Sequence, residues 1–70
     1  MLLMKGENYD YKKLQRLRRK QGFTQKTFAL EVGIHPVSVS RIERGLYVSY
    51  ELLQHIATSL NVSVKEFLPD

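Results

Sequence analysis

Residues 24–45 read TQKTFALEVGIHPVSVSRIERG and decide how this chain folds. Apolar residues recur in this stretch at helical spacing, and no window of the chain shows the alternation of a strand. Thr24 is a good N-cap for one helix, and Gly33 suits the left-handed turn that ends it. Pro36 suits the first position of a second helix, where its missing N–H costs nothing. These signals predict two helices joined by a three-residue turn, from Gln25 to Val32 and from Pro36 to Arg44.

The sequence on either side of this stretch predicts three more helices. Asp10 can cap a first helix that runs to about Gln21. Ser49 can cap a helix with the cleanest amphipathic stripe in the chain. Ser63 begins a capping box for a short last helix that ends near Leu68. The expected fold class is therefore all-α, a compact five-helix bundle.

Length and composition limit the organisation and the chemistry. Seventy residues allow one domain. Residues 1–10 show no clear period and are expected to form an N-terminal arm before the domain, residues 11–70. The chain has no cysteine, which excludes disulfides and thiolate sites, and its two histidines lack metal-ligand spacing. The longest apolar run, residues 1–4, is far shorter than the roughly 18 residues that span a membrane. We therefore expect a cytoplasmic protein without a metal, a cofactor or a small-molecule ligand.

The charge is concentrated in one part of the chain. The sequence has 11 Lys and Arg against 7 Asp and Glu. Seven of the basic residues lie between Lys12 and Lys26, with no acid among them. Such a cluster is typical of a surface that binds a polyanion. A solvated helix face is the alternative, and the charge alone does not decide between them.

The helix that begins at Pro36 carries residues suited to DNA recognition. In DNA-binding proteins that use two helices joined in this way, the second helix lies in the major groove. At about 100° per residue, Val37 and Arg41 point away from the face that carries Val39. Arginine can donate two hydrogen bonds to a guanine edge, and a small aliphatic group can touch a thymine methyl. A solvated arginine and a single exposed valine are the alternatives.

Several short motifs together resemble the phage repressor and Cro type of helix-turn-helix domain, also called the xenobiotic-response-element family. The resemblance runs from about Leu14 to Leu68. The matching segments are Leu17-Arg18-Arg19, Gly22-Phe23-Thr24-Gln25, Phe28-Ala29, Val32-Gly33-Ile34, Val39-Ser40-Arg41-Ile42-Glu43-Arg44-Gly45 and Ile56-Ala57-Thr58-Ser59-Leu60-Asn61-Val62-Ser63. Each segment alone is weak, but the segments in this order and at this spacing are specific.

The resemblance implies a lambda-repressor-like fold and a function in transcription. It implies a sequence-specific regulator of double-stranded DNA, a repressor, that binds a two-half-site operator as a homodimer through the helix from Pro36 to Arg44. It also implies an ion pair between Arg18 and Glu43. The helical periods agree, because both residues fall on inner faces, where an unpaired charge is very costly.

The start of the second helix and the outer face of the third are expected to meet DNA. The expected base contacts are Gln25, Pro36, Val37, Ser38 and Arg41. The expected backbone contacts are Thr24, Lys26, Thr27, Ser40, Arg44 and Tyr47. We expect no enzyme, because no nucleophile, metal site or acid–base constellation is visible.

The loop from Leu46 to Tyr50 departs from the family. It is uncharged and bulky where many relatives carry Lys, Arg and a proline. Either Tyr47 and backbone N–H groups replace the usual phosphate contacts, or the loop belongs to a dimer or partner surface. A further alternative is that two of its four large apolar residues fold back onto the core. The second candidate function is therefore a protein-interaction module, such as an antitoxin or adaptor, that uses this loop or the N-terminal arm.

Overall fold

The computed structural model describes residues 2–69; Met1 and Asp70, at the outer ends of the expected arm and domain, lie outside them. The described chain holds four α-helices, a two-stranded sheet and one short 3₁₀ helix. In chain order these are β1 (Leu3–Met4), α1 (Tyr11–Lys20), α2 (Gln25–Val32), α3 (Pro36–Glu43), β2 (Val48–Ser49), α4 (Tyr50–Ser59) and the 3₁₀ helix (Val64–Phe67).

The helices begin at the residues that the sequence predicted as caps. The Asp10 carboxylate accepts from the Lys13 N–H at 2.9 Å, and the Ser49 hydroxyl accepts from the Leu52 N–H at 3.1 Å. Gly33 ends α2 with φ 86°, a left-handed conformation that glycine adopts without a steric penalty. The helix ends differ from the prediction by one residue, since α1 stops at Lys20 and α3 at Glu43.

The prediction of five helices was wrong in its last member. Residues Val64–Phe67 form a single 3₁₀ turn, although Ser63 caps it as expected by accepting from the Lys65 N–H at 3.2 Å. Pro69 explains the early end, because a proline drives the residue before it out of the helical region. Leu68 accordingly lies at φ −102° and ψ 146°, in extended conformation.

The all-α prediction also missed a sheet. β1 pairs with β2 in antiparallel register, with Leu3 opposite Ser49 and Met4 opposite Val48. Each strand is two residues long, too short for an alternating pattern to be visible in the sequence. The pairing brings the start of the chain to the segment that follows α3.

The core joins the helices to the sheet. Its largest fully buried side chains are Phe28, Phe67, Leu14, Leu53, Ile56, Leu60 and Val39. Of the four large apolar residues in the loop after α3, Val48 is buried and Tyr50 half-buried. Leu46 and Tyr47 stay exposed. Two of the four therefore fold back onto the core, one of the alternatives that the sequence left open.

Candidate nucleic-acid interface

One face of α3 is anchored in the core and the opposite face is open to solvent. Val39 and Ile42 are 2% and 3% exposed. The residues on the open face are Pro36, Val37, Arg41 and Arg44, which are exposed, and Ser38 and Ser40, which are half-buried. Val37 is 49% exposed, although it is apolar. The side chains expected to read DNA from α3 therefore share one accessible surface.

The start of α3 is fixed by His35 and Pro36. Nδ1 of His35 accepts from the Val37 N–H at 3.1 Å, so the imidazole does what a serine or threonine cap would do. Pro36 occupies the first helical position, where its fixed φ suits a helix start. These two residues hold the accessible N-terminal turn of α3 in one conformation.

The start of α2 is fixed by a reciprocal threonine pair. The Thr24 hydroxyl accepts from the Thr27 N–H at 3.0 Å, and the Thr27 hydroxyl accepts from the Thr24 N–H at 2.9 Å. Both threonines and Lys26 are exposed at this helix end. Both hydroxyls cap the helix, so hydrogen bonds define the conformation at the site of the expected DNA-backbone contacts.

Arg18 and Glu43 form a bidentate ion pair beneath this surface. Arg18 Nε lies 2.5 Å from Glu43 Oε2, and Arg18 Nη2 lies 3.0 Å from Oε1. Arg18 Nη1 also donates to the Phe23 carbonyl at 2.7 Å. The side chains are 6% and 1% exposed, respectively. The pair ties α1 to the C-terminal end of α3.

Two glutamines complete the hydrogen bonding of Glu43. The side-chain amides of Gln15 and Gln25 donate to Oε1 at 3.2 and 3.0 Å. Burial acts to raise the pKa of Glu43, but the hydrogen bonds from Arg18, Gln25 and Gln15 and the charge of Arg18 outweigh it, so that the pKa lies below its ordinary value. A carboxylate only accepts hydrogen bonds, so the Gln25 amide nitrogen faces Glu43 and its carbonyl oxygen faces the other way.

A family model described as Helix-turn-helix matches residues 14–67. The chain belongs to the repressor and Cro type of helix-turn-helix family. This family consists of DNA-binding transcriptional regulators. The resemblance noted from the sequence motifs is thereby confirmed, and α2 and α3 are the two helices of the motif.

Two solved structures resemble this helix-turn-helix domain. The restriction-modification controller protein C.AhdI from Aeromonas hydrophila is 32% identical, with a TM-score of 0.75 over 80% of this chain and 86% of that one. SinR, a master regulator for biofilm formation solved in complex with DNA, is 24% identical, with a TM-score of 0.72 over 79% of this chain and 90% of that one. The second likeness concerns the fold alone. A comparison with curated protein sequences finds no match.

The segment before the family match adds a residue that sequence reasoning missed. Lys5 lies with its Nζ 5.6 Å from the centre of the Tyr47 ring, just beyond the C-terminal end of α3. No local pattern could have found Lys5, because its neighbour is distant in the chain. Gln15 was missed too, although its place one turn before Arg18 puts both side chains on one side of α1.

The basic residues of α1 fall into two groups, those exposed to solvent and one that forms an ion pair. Lys12, Arg16, Arg19 and Lys20 are exposed. Lys13 pairs with Glu66 at 2.9 Å in a partly exposed ion pair. Four cations of α1 therefore face solvent, where they can attract a polyanion.

Two other features are absent between residues 2 and 69, a cluster of metal-ligating side chains and a membrane-spanning helix. No three His, Cys, Asp or Glu side chains come together there as metal ligands would. No helix in that range has both the length and the apolar character needed to cross a bilayer.

Proposed function

We propose that this protein is a sequence-specific double-stranded DNA-binding transcriptional regulator that lays α3 in the major groove. The observation that carries the proposal is the two-sided character of α3. Its inner face is fixed by Val39, Ile42 and the Glu43 ion pair, while its outer face presents Arg41 and Val37 to solvent. The groove is about 12 Å wide and admits one helix.

Direct readout falls to the outer face of α3. Arg41 donates to a guanine edge, and Val37 packs on a thymine methyl group. Pro36 and Ser38 flank Val37 and take the neighbouring base positions. Arg41 joins none of the ion pairs found between residues 2 and 69, which leaves its guanidinium group available for this role.

Gln25 adds a base contact in which its side chain accepts a hydrogen bond. Its amide nitrogen is committed to Glu43, so its carbonyl oxygen is the group directed away from the ion pair. An oxygen acceptor matches the exocyclic amino group of adenine or cytosine in the major groove. It does not match a phosphate, which offers only acceptors.

Contacts to the DNA backbone surround the residues proposed to contact bases. Those proposed are Thr24, Lys26, Thr27, Ser40, Arg44 and Tyr47. The capped N-terminus of α2 carries partial positive charge that favours a phosphate. The exposed cations of α1 add long-range attraction that does not depend on sequence. The activity proposed is binding alone, and no residue is assigned to catalysis.

We further propose that the protein is a repressor that binds a two-half-site operator as a homodimer. The principal extents of the protomer are 27 × 20 × 18 Å. Half-sites read by paired helix-turn-helix domains lie about 34–36 Å apart. One protomer therefore covers one half-site, and two copies are needed for a symmetric operator. The location proposed for this regulator is the cytoplasm.

Selection of bound duplexes from a random library tests the proposal. We expect an enriched sequence with two inverted half-sites whose centres are about 10 base pairs apart. Enrichment of no sequence over the starting library would overturn sequence-specific binding. Enrichment of a single half-site would overturn the symmetric operator while leaving DNA recognition in place.

A protein-interaction module is the second candidate, and one observation favours it. Leu2 and Leu3 are 63% and 57% exposed, and with Leu68 and Pro69 they line an open groove of about 390 Å³. Salt separates the candidates, because phosphate contacts weaken steeply with ionic strength while apolar contacts do not. Partner capture that survives high salt and is lost on Leu3→Glu would favour this candidate.

A further inference from the structure

Arg44 is the only basic residue in the segment between α3 and α4, residues 44–49. A helix seated in the major groove has the phosphates of both strands on its flanks, so the chain at its end lies near the DNA backbone. Here Arg44 and Gly45 are followed by LYVSY, which holds no basic residue, and then by the acidic Glu51. If α3 binds as proposed, any positive charge beside this end of the helix in addition to Arg44 has to come from another part of the fold.

The N-terminal strand runs alongside this segment. Met4 lies opposite Val48, and the Gly6 N–H donates to the Gly45 carbonyl at 2.8 Å. Side chains alternate across a strand, and Met4 and Val48 are buried. Lys5 directly follows β1 and Tyr47 directly precedes β2, so the same register, continued by one residue, sets them opposite each other on the outer side.

The Lys5 and Tyr47 side chains meet on that outer side. Lys5 Nζ lies 5.6 Å from the Tyr47 ring centre, within the range in which an aromatic face attracts a cation. Both residues are exposed, Tyr47 by 64%. The ring therefore holds the ammonium group beside the end of α3 while leaving it open to a ligand.

Hydrogen bonds tie the segment around Lys5 to the C-terminal end of α3. The Tyr9 hydroxyl, whose single proton is shared, donates to the carbonyls of Ile42 at 2.8 Å and Leu46 at 2.5 Å. A Cβ added at Gly6 would stand 2.9 Å from the Gly45 oxygen, so the two backbones touch. DNA binding therefore requires little additional ordering of this segment.

We propose that Lys5 contacts a DNA phosphate beside the C-terminal end of α3, with Tyr47 as its positioning residue. This inference rests on the proposed function, since it needs α3 to lie in the groove. Lys5 lies outside residues 14–67, which match the family model, so the contact belongs to the segment that this chain adds before the match. A lysine suits the role because its ammonium group binds phosphate as a point charge.

The salt dependence of DNA binding tests the inference. Lys5→Ala and the charge-matched control Lys65→Ala are titrated against the selected duplex and a scrambled duplex between 50 and 200 mM salt. Lys65 lies on the 3₁₀ helix, which packs against α1 and α4. Each phosphate contact contributes about 0.9 to the slope of log K against log salt. Over this fourfold range the parent should lose about 3.5-fold more affinity than Lys5→Ala, on both duplexes alike.

Two further variants separate charge from position. Lys5→Arg keeps the charge and should keep the slope of the parent. Tyr47→Leu removes the ring, and Lys5→Ala should then change the slope less than it does in the parent. The melting temperatures of the Lys5 variants should match the parent, because the side chain is exposed.

The outcomes distinguish this inference from the proposed function. A parent protein that binds neither duplex overturns the proposed function and the inference with it. A parent that binds with a steep salt dependence, together with a Lys5→Ala variant whose slope equals those of the parent and Lys65→Ala, overturns the inference alone.

Discussion

Replacing Glu43 by glutamine should remove a large part of the stability of this fold. The Glu43 side chain is 1% exposed and accepts from three side chains, those of Arg18, Gln15 and Gln25. Glu43→Gln strands the Arg18 charge and places an amide group where four donors now converge. Breaking a buried pair in this way costs about 3–5 kcal/mol. Domains have total stabilities of about 5–15 kcal/mol, and small ones lie toward the low end.

Urea unfolding of the parent, Glu43→Gln and Glu66→Gln measures this cost. Glu66→Gln makes the same chemical change at a partly exposed ion pair with Lys13, where the loss of unfolding free energy should be below about 1 kcal/mol. A Glu43→Gln variant that unfolds at the same urea concentration as Glu66→Gln would refute the reasoning.

The pH dependence of unfolding gives a second readout on the same variant. The pKa of Glu43 is lower in the folded protein than its ordinary value of 4.5. Its ionisation therefore contributes stability that is present above about pH 4.5 and is lost as the pH falls through the folded pKa. Glu43→Gln should lack this part of the acid-induced loss.

Two further predictions concern the junction between the N-terminal segment and α3. Burial, with a smaller contribution from Tyr11, raises the pKa of Tyr9 from 10.0 to about 12. The folded state thus favours the neutral phenol, and about 3 kcal/mol of stability present below pH 10 should be lost between pH 10 and 12. Tyr9→Phe should show no such loss, which alkaline unfolding curves of parent and variant check. Gly6→Ala should lower the free energy of unfolding by about 1–3 kcal/mol, because the added Cβ would press on the Gly45 backbone. A variant with the same melting temperature as the parent would count against this close approach.

The helices of the domain were predictable because their signals are local. A cap such as Thr24, a left-handed glycine such as Gly33 and a proline at a helix start each act within a few residues. The inner faces of α1 and α3 also follow from the helical period. The family resemblance implied the pairing of Arg18 with Glu43, and the period agrees with it. The accessible face of α3 followed from the same period, because burying Val39 leaves Arg41 outside.

The features that the sequence did not predict depend on distant parts of the chain. A strand of two residues has no period to detect, and β1 pairs with a segment that lies far along the chain, after α3. The position of Lys5 depends on that pairing. The hydrogen bond from the Gln25 amide nitrogen to Glu43 joins two helices, so no local pattern indicated it. The short last helix failed as a prediction because Pro69 limits it to one 3₁₀ turn.

A paired titration of Arg41→Ala and Arg19→Ala tests the central claim, that the outer face of α3 reads base sequence. Each variant is measured against the selected duplex and a scrambled one at two salt concentrations. Arg41→Ala should lose about 1–3 kcal/mol of discrimination between the duplexes and relax the preference at one position in each half-site. Arg19→Ala, on the exposed side of α1, should weaken binding to both duplexes alike, with a slope change of no more than about one. If Arg41→Ala weakens both duplexes equally, Arg41 contacts phosphate and the claim is contradicted.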